Sequence, residues 1–259
     1  MHRLDRIILE EFRRKLRVKA LQNTEVLCKV IKGPELGITS KEYALGRGPE
    51  VIIECKVGNV LGHAFTDVSI EFRGYLYELL SIDMDDVGQR AIFFATLNAL
   101  LTLLGELNGG THCKGHEAKK CGWELAKYLL QRFSPRTPIL HIGYQPSHVE
   151  ALAKTFNTVY VTDLNPQLIG RTKYGIEILN ADMNIELINK SDVVLITSSS
   201  LINKTFYDLV EASMKKKKFT VAYGVSGKGG IKILKDKGVI TCEYFCPYTK
   251  INMVVGKCH

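Results

Sequence analysis

At the start of the chain apolar residues recur every four positions: Leu4, Ile8, Phe12 and Leu16 form one stripe, joined by Ile7, with arginines and glutamates between them. That period predicts an amphipathic helix. The pattern then changes to short runs rich in β-branched and aromatic residues at 24–31, 51–57, 64–72 and 75–80, with Gly58-Asn59 and Arg73-Gly74 as turns between the later ones. These predict strands. A helix follows at 89–107, and Asn108-Gly109-Gly110 is expected to stop it, because glycine supplies the left-handed conformation of a helix C-terminus. Its most apolar part, 91–104, carries Thr96, Asn98 and Thr102 and is shorter than the roughly 20 residues that cross a bilayer, so it reads as a buried core helix.

The second half has another rhythm. After a helix at 117–133 and the break Ser134-Pro135-Arg136-Thr137-Pro138, short apolar strands alternate with helices. Strands are predicted at 138–142, 158–162, 176–180, 192–197, 220–223 and 239–244, and helices at 147–156, 184–189, 204–214 and 230–237. Such alternation implies right-handed crossovers and a mostly parallel sheet with helices on both faces. The fold class is α/β, with an α+β domain over 1–110 and a Rossmann-like ligand-binding domain over 111–259.

Composition narrows the function classes. The chain of 259 residues is 46% hydrophobic and 24% charged, which suits an ordinary folded protein and excludes extensive disorder. The opening Met1-His2-Arg3-Leu4-Asp5-Arg6 lacks the apolar core of a secretory signal, so a cytoplasmic location is expected, with no membrane partner. Seven scattered cysteines argue for reduced thiols or metal ligands over a disulfide framework. The net charge of +8 is gathered partly in the first 19 residues and in Lys215–Lys218, without interleaved aromatics, so nucleic acid is not the expected partner.

In a parallel sheet, ligands bind beyond the carboxyl ends of the strands. Gly143, Tyr144, Gln145, Pro146 and Ser147 form the first such end, a partial dinucleotide signal whose second and third glycines are replaced. Asp163 ends the second strand 20 residues later, where a carboxylate would grip ribose hydroxyls or cap the turn made with Asn165 and Pro166. Thr197, Ser198, Ser199, Ser200, Asn203 and Thr205 crowd five hydroxyls and an amide onto one strand-to-helix loop, more than N-capping requires, and the surplus points to a carboxylate or phosphate ligand. Gly224, Ser226 and Lys228 lie in a glycine-rich turn that is either an anion cradle or a flexible loop.

His112, Cys113, His116 and Cys121 put four ligand-type side chains within ten residues, suited to zinc, nickel, copper or iron, although the spacing matches no standard structural zinc pattern. Asn98, inside the apolar helix, must find partners across the strand ends or in a neighbouring loop. No nucleophile elbow, triad order or kinase signature is present.

The stretches Ile142-Gly143-Tyr144-Gln145-Pro146, Asp163-Leu164-Asn165-Pro166, Ile196 to Thr205 and Gly224-Val225-Ser226, with the Asn98-Ala99 pair, resemble the putative heavy-metal chelation family, a prokaryotic family of unknown function. The resemblance implies an enolase N-terminal-like first domain, a Rossmann-like second one, and a site between them built from Asn98 and the strand ends. The expected ligand is a small anionic or metal-chelating molecule. Alternatives are a nucleotide- or S-adenosylmethionine-dependent transferase, or a metal-storage or sensing module using a transition metal ion. Whether the chain is catalytic, and whether it forms a homodimer, stay open at the level of sequence.

Overall fold

A computed structural model describes residues 1–113, 117–249 and 251. Helix α1 (Arg3–Val18) buries the predicted stripe: Leu4, Ile8, Phe12 and Leu16 are fully enclosed. Strands β1 (Glu25–Ile31), β2 (Val51–Val57), β3 (Val60–Thr66) and β4 (Phe72–Tyr75) form an antiparallel sheet in the order β3-β2-β1-β4, and the β1–β2 connection carries the one-turn helix α2 (Ala44–Arg47). Cys28 and Cys55 face each other in the β1–β2 register and are joined by a disulfide, against the expectation of reduced thiols.

Two predicted strands move. The turn at Gly58-Asn59 starts β3 at once, so it ends at Thr66 rather than at 72. Arg73-Gly74 lies inside β4 rather than between strands, and the run after it coils into a 3-10 helix (Leu76–Ser81) whose Glu78 carboxylate accepts from the Tyr75 N–H at 2.9 Å. Helix α3 (Val87–Leu103) starts at Asp86, whose carboxylate accepts from Gln89 N–H, and ends four residues earlier than expected because Gly105, at φ +72°, supplies the left-handed turn ahead of Asn108-Gly109-Gly110. It is buried on every side. A Cβ at Gly62 of β3 would stand 2.2 Å from the Ala95 carbonyl oxygen, so only glycine lets strand and helix come this close.

The second half contributes α4 (Glu117–Leu130), β5 (Ile139–Ile142), α5 (Pro146–Thr155), β6 (Val159–Asp163), β7 (Thr172–Lys173), β8 (Ile176–Asn180), α6 (Asn184–Lys190), β9 (Val193–Thr197), α7 (Phe206–Lys215), β10 (Phe219–Tyr223), α8 (Lys228–Asp236) and β11 (Glu243–Phe245). They make a seven-stranded sheet in the order β11-β10-β9-β5-β6-β8-β7, parallel except for the short β7. Alternating side chains serve two cores. Leu140, Ile142, Val194, Ile196 and Ala222 pack with residues of α6, α7, α8 and the first sheet, whereas Ile139, Val193, Leu195 and Val221 pack with α4 and α5. The chain enters at β5, winds outward through β6 and β8, then returns to β9 on the other side of β5. The winding therefore reverses between β5 and β9, the place where open sheets of this kind leave a crevice beyond their carboxyl ends.

A buried ion pair joins the halves. Arg90, fully enclosed on α3, pairs with Asp5 of α1 at 2.9 Å and donates to the Met84 carbonyl at 2.8 Å and twice to the Leu201 carbonyl beyond β9, at 2.6 and 3.0 Å. Tyr207 of α7 donates to the other oxygen of Asp5. Among the described residues no helix is long and apolar enough to cross a membrane.

Candidate functional site

The crevice between β5 and β9 opens on Gly143, whose φ of +89° turns the chain sharply; a Cβ there would stand 2.8 Å from Thr197 Cγ2. The next step decides against a dinucleotide pyrophosphate at this point. Gln145 caps α5: its side-chain oxygen accepts from the His148 N–H at 2.6 Å and its backbone oxygen from Val149 N–H at 3.0 Å, while Pro146 offers no N–H at all. Of the first-turn donors that a phosphate would use, the His148 N–H is therefore engaged and Pro146 has none to give. Asp163 accepts from Tyr144 N–H at 2.6 Å and from Asn165 N–H at 2.7 Å, and Asn165 in turn accepts from Gln167 N–H, with Pro166 exposed at the turn. It is the turn-capping role that the structure displays, with one lone pair left on each oxygen.

The hydroxyl surplus after β9 is largely satisfied inside the loop. Thr197 Oγ1 accepts from Ser199 N–H, Ser200 donates to the Thr197 carbonyl at 2.5 Å, Ser199 bonds Ser226 at 3.1 Å, and Asn203 Oδ1 accepts from the Thr205 hydroxyl at 2.7 Å. Sequence could not foresee this because the loop coils into a 3-10 turn (Ser198–Leu201) that brings those groups onto one another. Ser198 Oγ alone is left: the residue is fully enclosed, its hydroxyl has no partner, and it stands beside Gly224, which has φ +86° and no side chain to fill the space.

Asn98 is fully buried. Its amide donates to the carbonyls of His63, Val225 and Ser226 at 2.9–3.0 Å and its oxygen accepts from Gly229 N–H at 2.8 Å, so it fastens α3 to the start of α8. The glycine-rich turn is likewise closed as an anion cradle. Lys228 is buried and donates to Asn108 Oδ1, the Gly109 carbonyl and Thr249 Oγ1, and burial lowers its pKa to about 8.

Unpartnered chemistry gathers where the β1–β2 connection reaches over the sheet's carboxyl end, a stretch whose sequence carries no motif. A cavity of about 300 Å³ there is lined by Lys41, Glu42, Arg47, Gln167, Leu168, Arg171 and Lys173. Four cations line it against one carboxylate. Glu42 holds Lys173 at 2.6 Å and accepts from Tyr144 OH at 3.3 Å, and its pKa is lowered chiefly by Lys173. Arg47 donates to the Lys41 carbonyl at 3.3 Å, but its Nε is buried with no partner. Three residues on, Glu50 carries a pKa raised to about 7, first by burial and then by the charge of Asp163, with Asp67 adding to it and Arg47 opposing.

Of the predicted metal foursome, His112, Cys113 and Cys121 lie among the described residues. His112 lies at the first sheet, its N–H donating to His63 Nδ1 at 3.1 Å and its ring against Phe65; burial lowers its pKa to about 4. His63 therefore donates through Nε2 to Glu54 at 2.9 Å. Cys113 Sγ is 3.9 Å from His112 Nε2, Cys121 is buried on α4 with His148 Nε2 at 3.4 Å from its sulfur, and His116 lies outside the described residues. From Cys121 a chain continues through His148 Nδ1 to His141 Nε2 at 3.2 Å, and His141 Nδ1 meets Tyr223 OH, which donates to the Gly143 carbonyl at 2.7 Å. Because a carbonyl only accepts, the hydrogen bonds run one way from the thiol to Gly143. Burial depresses both imidazoles and raises the thiol, so the chain is neutral. Among the described residues no three His, Cys, Asp or Glu side chains are placed to hold a metal ion.

Comparison with known proteins agrees with the fold. No curated protein matches the chain. A crystal structure of a protein of unknown function from the DUF364 family of Pyrococcus horikoshii matches with a TM-score of 0.54 and 20% identity, over 88% of this chain and 82% of that one. A second, from Desulfitobacterium hafniense DCB-2 and also of the DUF364 family, matches with a TM-score of 0.50 and 15% identity, over 73% of this chain and 72% of that one. Residues 128–240, which include the strand ends from Gly143 to Ser226, match the model of the DUF364 family, described as putative heavy-metal chelation.

Proposed function

We propose that the protein binds a small anionic molecule in the cleft between an α+β domain (1–110) and a Rossmann-like domain (111–259), the anion sitting against Lys41, Arg47, Arg171 and Lys173. The observation that carries this reading is the buried, unpartnered Nε of Arg47 in a cation-lined cavity of about 300 Å³. A buried guanidinium donor left unmade costs about 1–3 kcal/mol, and a carboxylate or phosphate oxygen would remove that cost. The cavity is at the small end of ligand sites, which suits one anionic group on a short skeleton. Metal enters this reading as cargo: chelators that carry several carboxylates are anions, and a metal held by one would arrive already coordinated, so the protein need not supply three ligands of its own.

Titration calorimetry with inorganic phosphate and with citrate, on the wild type and on Arg47→Ala and Arg171→Ala, tests the placement. Binding that weakens at least tenfold in both variants supports it. Equal affinity in wild type and variants overturns it. The bound protein should also melt higher, by the equivalent of about 2.7 kcal/mol at ligand one hundred times its dissociation constant.

A further inference from the structure

We infer that the seat on Lys173 and Tyr144 now taken by the Glu42 carboxylate is a second anion subsite, and that the ligand of this cavity carries two anionic groups on a short skeleton, the second displacing Glu42. The inference rests on the anion-binding reading and adds the chemistry of the ligand's other end. Glu42 Oε1 accepts from Lys173 Nζ at 2.6 Å and Oε2 from Tyr144 OH at 3.3 Å, so an ammonium and a phenol already hold a carboxylate between them. Both donors belong to the second sheet's side, Lys173 on β7 and Tyr144 just beyond β5, whereas Glu42 reaches over from the β1–β2 connection. Tyr144 is buried, and burial pushes its phenol up, so the hydroxyl keeps its proton and stays a donor. This is a formed receptor for a carboxylate, occupied by the protein's own.

Charge and exposure favour a displaceable occupant over a fixed clasp. Glu42 offsets one of the cavity's four cations, and Lys41, Arg47 and Arg171 form no ion pair among the described residues. Three positive charges are more than a single carboxylate balances, and the buried Nε of Arg47 still lacks an acceptor. The Glu42 side chain is 47% exposed and that of Lys173 28%; an ion pair this open to water contributes little to stability, so exchanging its carboxylate for another costs little. The two subsites adjoin. Arg171 continues the β7–β8 ladder, its carbonyl accepting from Ile178 N–H at 2.9 Å, and lies two residues before Lys173, so extended backbone puts both side chains on one face about 7 Å apart. A skeleton of a few carbons spans that interval and suits a cavity of about 300 Å³.

The test uses matched probes: phosphonoacetate, 3-phosphonopropionate and 4-phosphonobutyrate, each paired with its carboxamide, titrated calorimetrically into the full chain. Acid and amide share a shape and differ by one charge. At one length or more the acid should bind at least fivefold tighter than its amide. Glu42→Gln removes the internal competitor and should widen that preference a further threefold or more. Tyr144→Phe removes a donor without altering charge and should narrow it at least threefold, with Lys173→Gln in its place if that variant fails to fold. General attraction of anions to a cationic surface would be blind to the Tyr144 hydroxyl. An amide equal to its acid at every length, or a preference that misses either change, overturns the inference and leaves the anion site standing as long as binding weakens in Arg47→Ala. No phosphonate binding at all, or binding indifferent to Arg47→Ala, overturns the anion site and this inference with it.

Discussion

Replacing Glu50 by Gln should make the protein more stable, and only above mildly acidic pH. The Glu50 carboxyl is raised from 4.5 to about 7 in the folded chain by burial and by the neighbouring Asp163. A carboxyl whose folded pKa lies above its unfolded value favours folding fully below pH 4.5, and that contribution disappears as pH rises through about 7. A change of this size corresponds to about 3 kcal/mol, reduced to about 2 kcal/mol once the partial exposure of Glu50 is allowed for. Glutamine keeps the shape of the protonated acid and cannot ionise, so it removes the loss. Urea denaturation of both proteins at pH 5 and pH 8 measures this directly: the variant should gain about 2 kcal/mol over the wild type at pH 8 and well under 1 kcal/mol at pH 5. An equal difference at the two pH values would refute the reasoning, because the carboxyl would then titrate normally.

The remaining expectations concern the joints of the fold and the crevice. Arg90→Leu leaves Asp5 charged and buried without its cation and strips the Leu201 carbonyl of two donors, which should cost about 3–5 kcal/mol in urea denaturation. Asn98→Leu orphans the Gly229 N–H and the carbonyls it meets, and should lower stability by about 2–4 kcal/mol, with hydrogen exchange rising first at the start of α8. Ser198→Ala removes an enclosed hydroxyl that has no partner, so the free protein should melt higher by the equivalent of about 1 kcal/mol. Gly122→Ala would place a Cβ 2.0 Å from the Ser147 carbonyl oxygen, forcing α4 away from α5 and costing about 2–3 kcal/mol.

The sheet and its winding were legible because β-branched runs such as 193–197 are short, apolar and regularly spaced between helices, and that period survives without knowledge of neighbours. Polar loops were harder. The hydroxyls from Thr197 to Thr205 and the turn at Asp163 advertise chemistry in sequence, yet much of what they do is bind one another, because their bonds depend on a local coil that the residue types alone do not specify. Asn98 was singled out for the right reason, a buried amide in need of partners, and the partners turned out to be the backbone of the opposite layer. The cations of the cleft come from two stretches over a hundred residues apart, Lys41 to Arg47 and Arg171 to Lys173, neither of which carries a motif, so only the fold reveals them as one group. The same holds for the thiol-imidazole chain, whose members Cys121, His141, His148 and Tyr223 come from four elements.

The location of the bound anion is the most direct test of the account. Titration of isotope-labelled protein with inorganic phosphate, followed by amide chemical shifts, should move the signals of Arg47, Gln167, Leu168, Arg171 and Lys173 saturably and together, since these residues line one cavity. Shifts confined to the α5 or α8 N-terminus, where Gln145 and Asn98 already occupy the backbone donors, would contradict it.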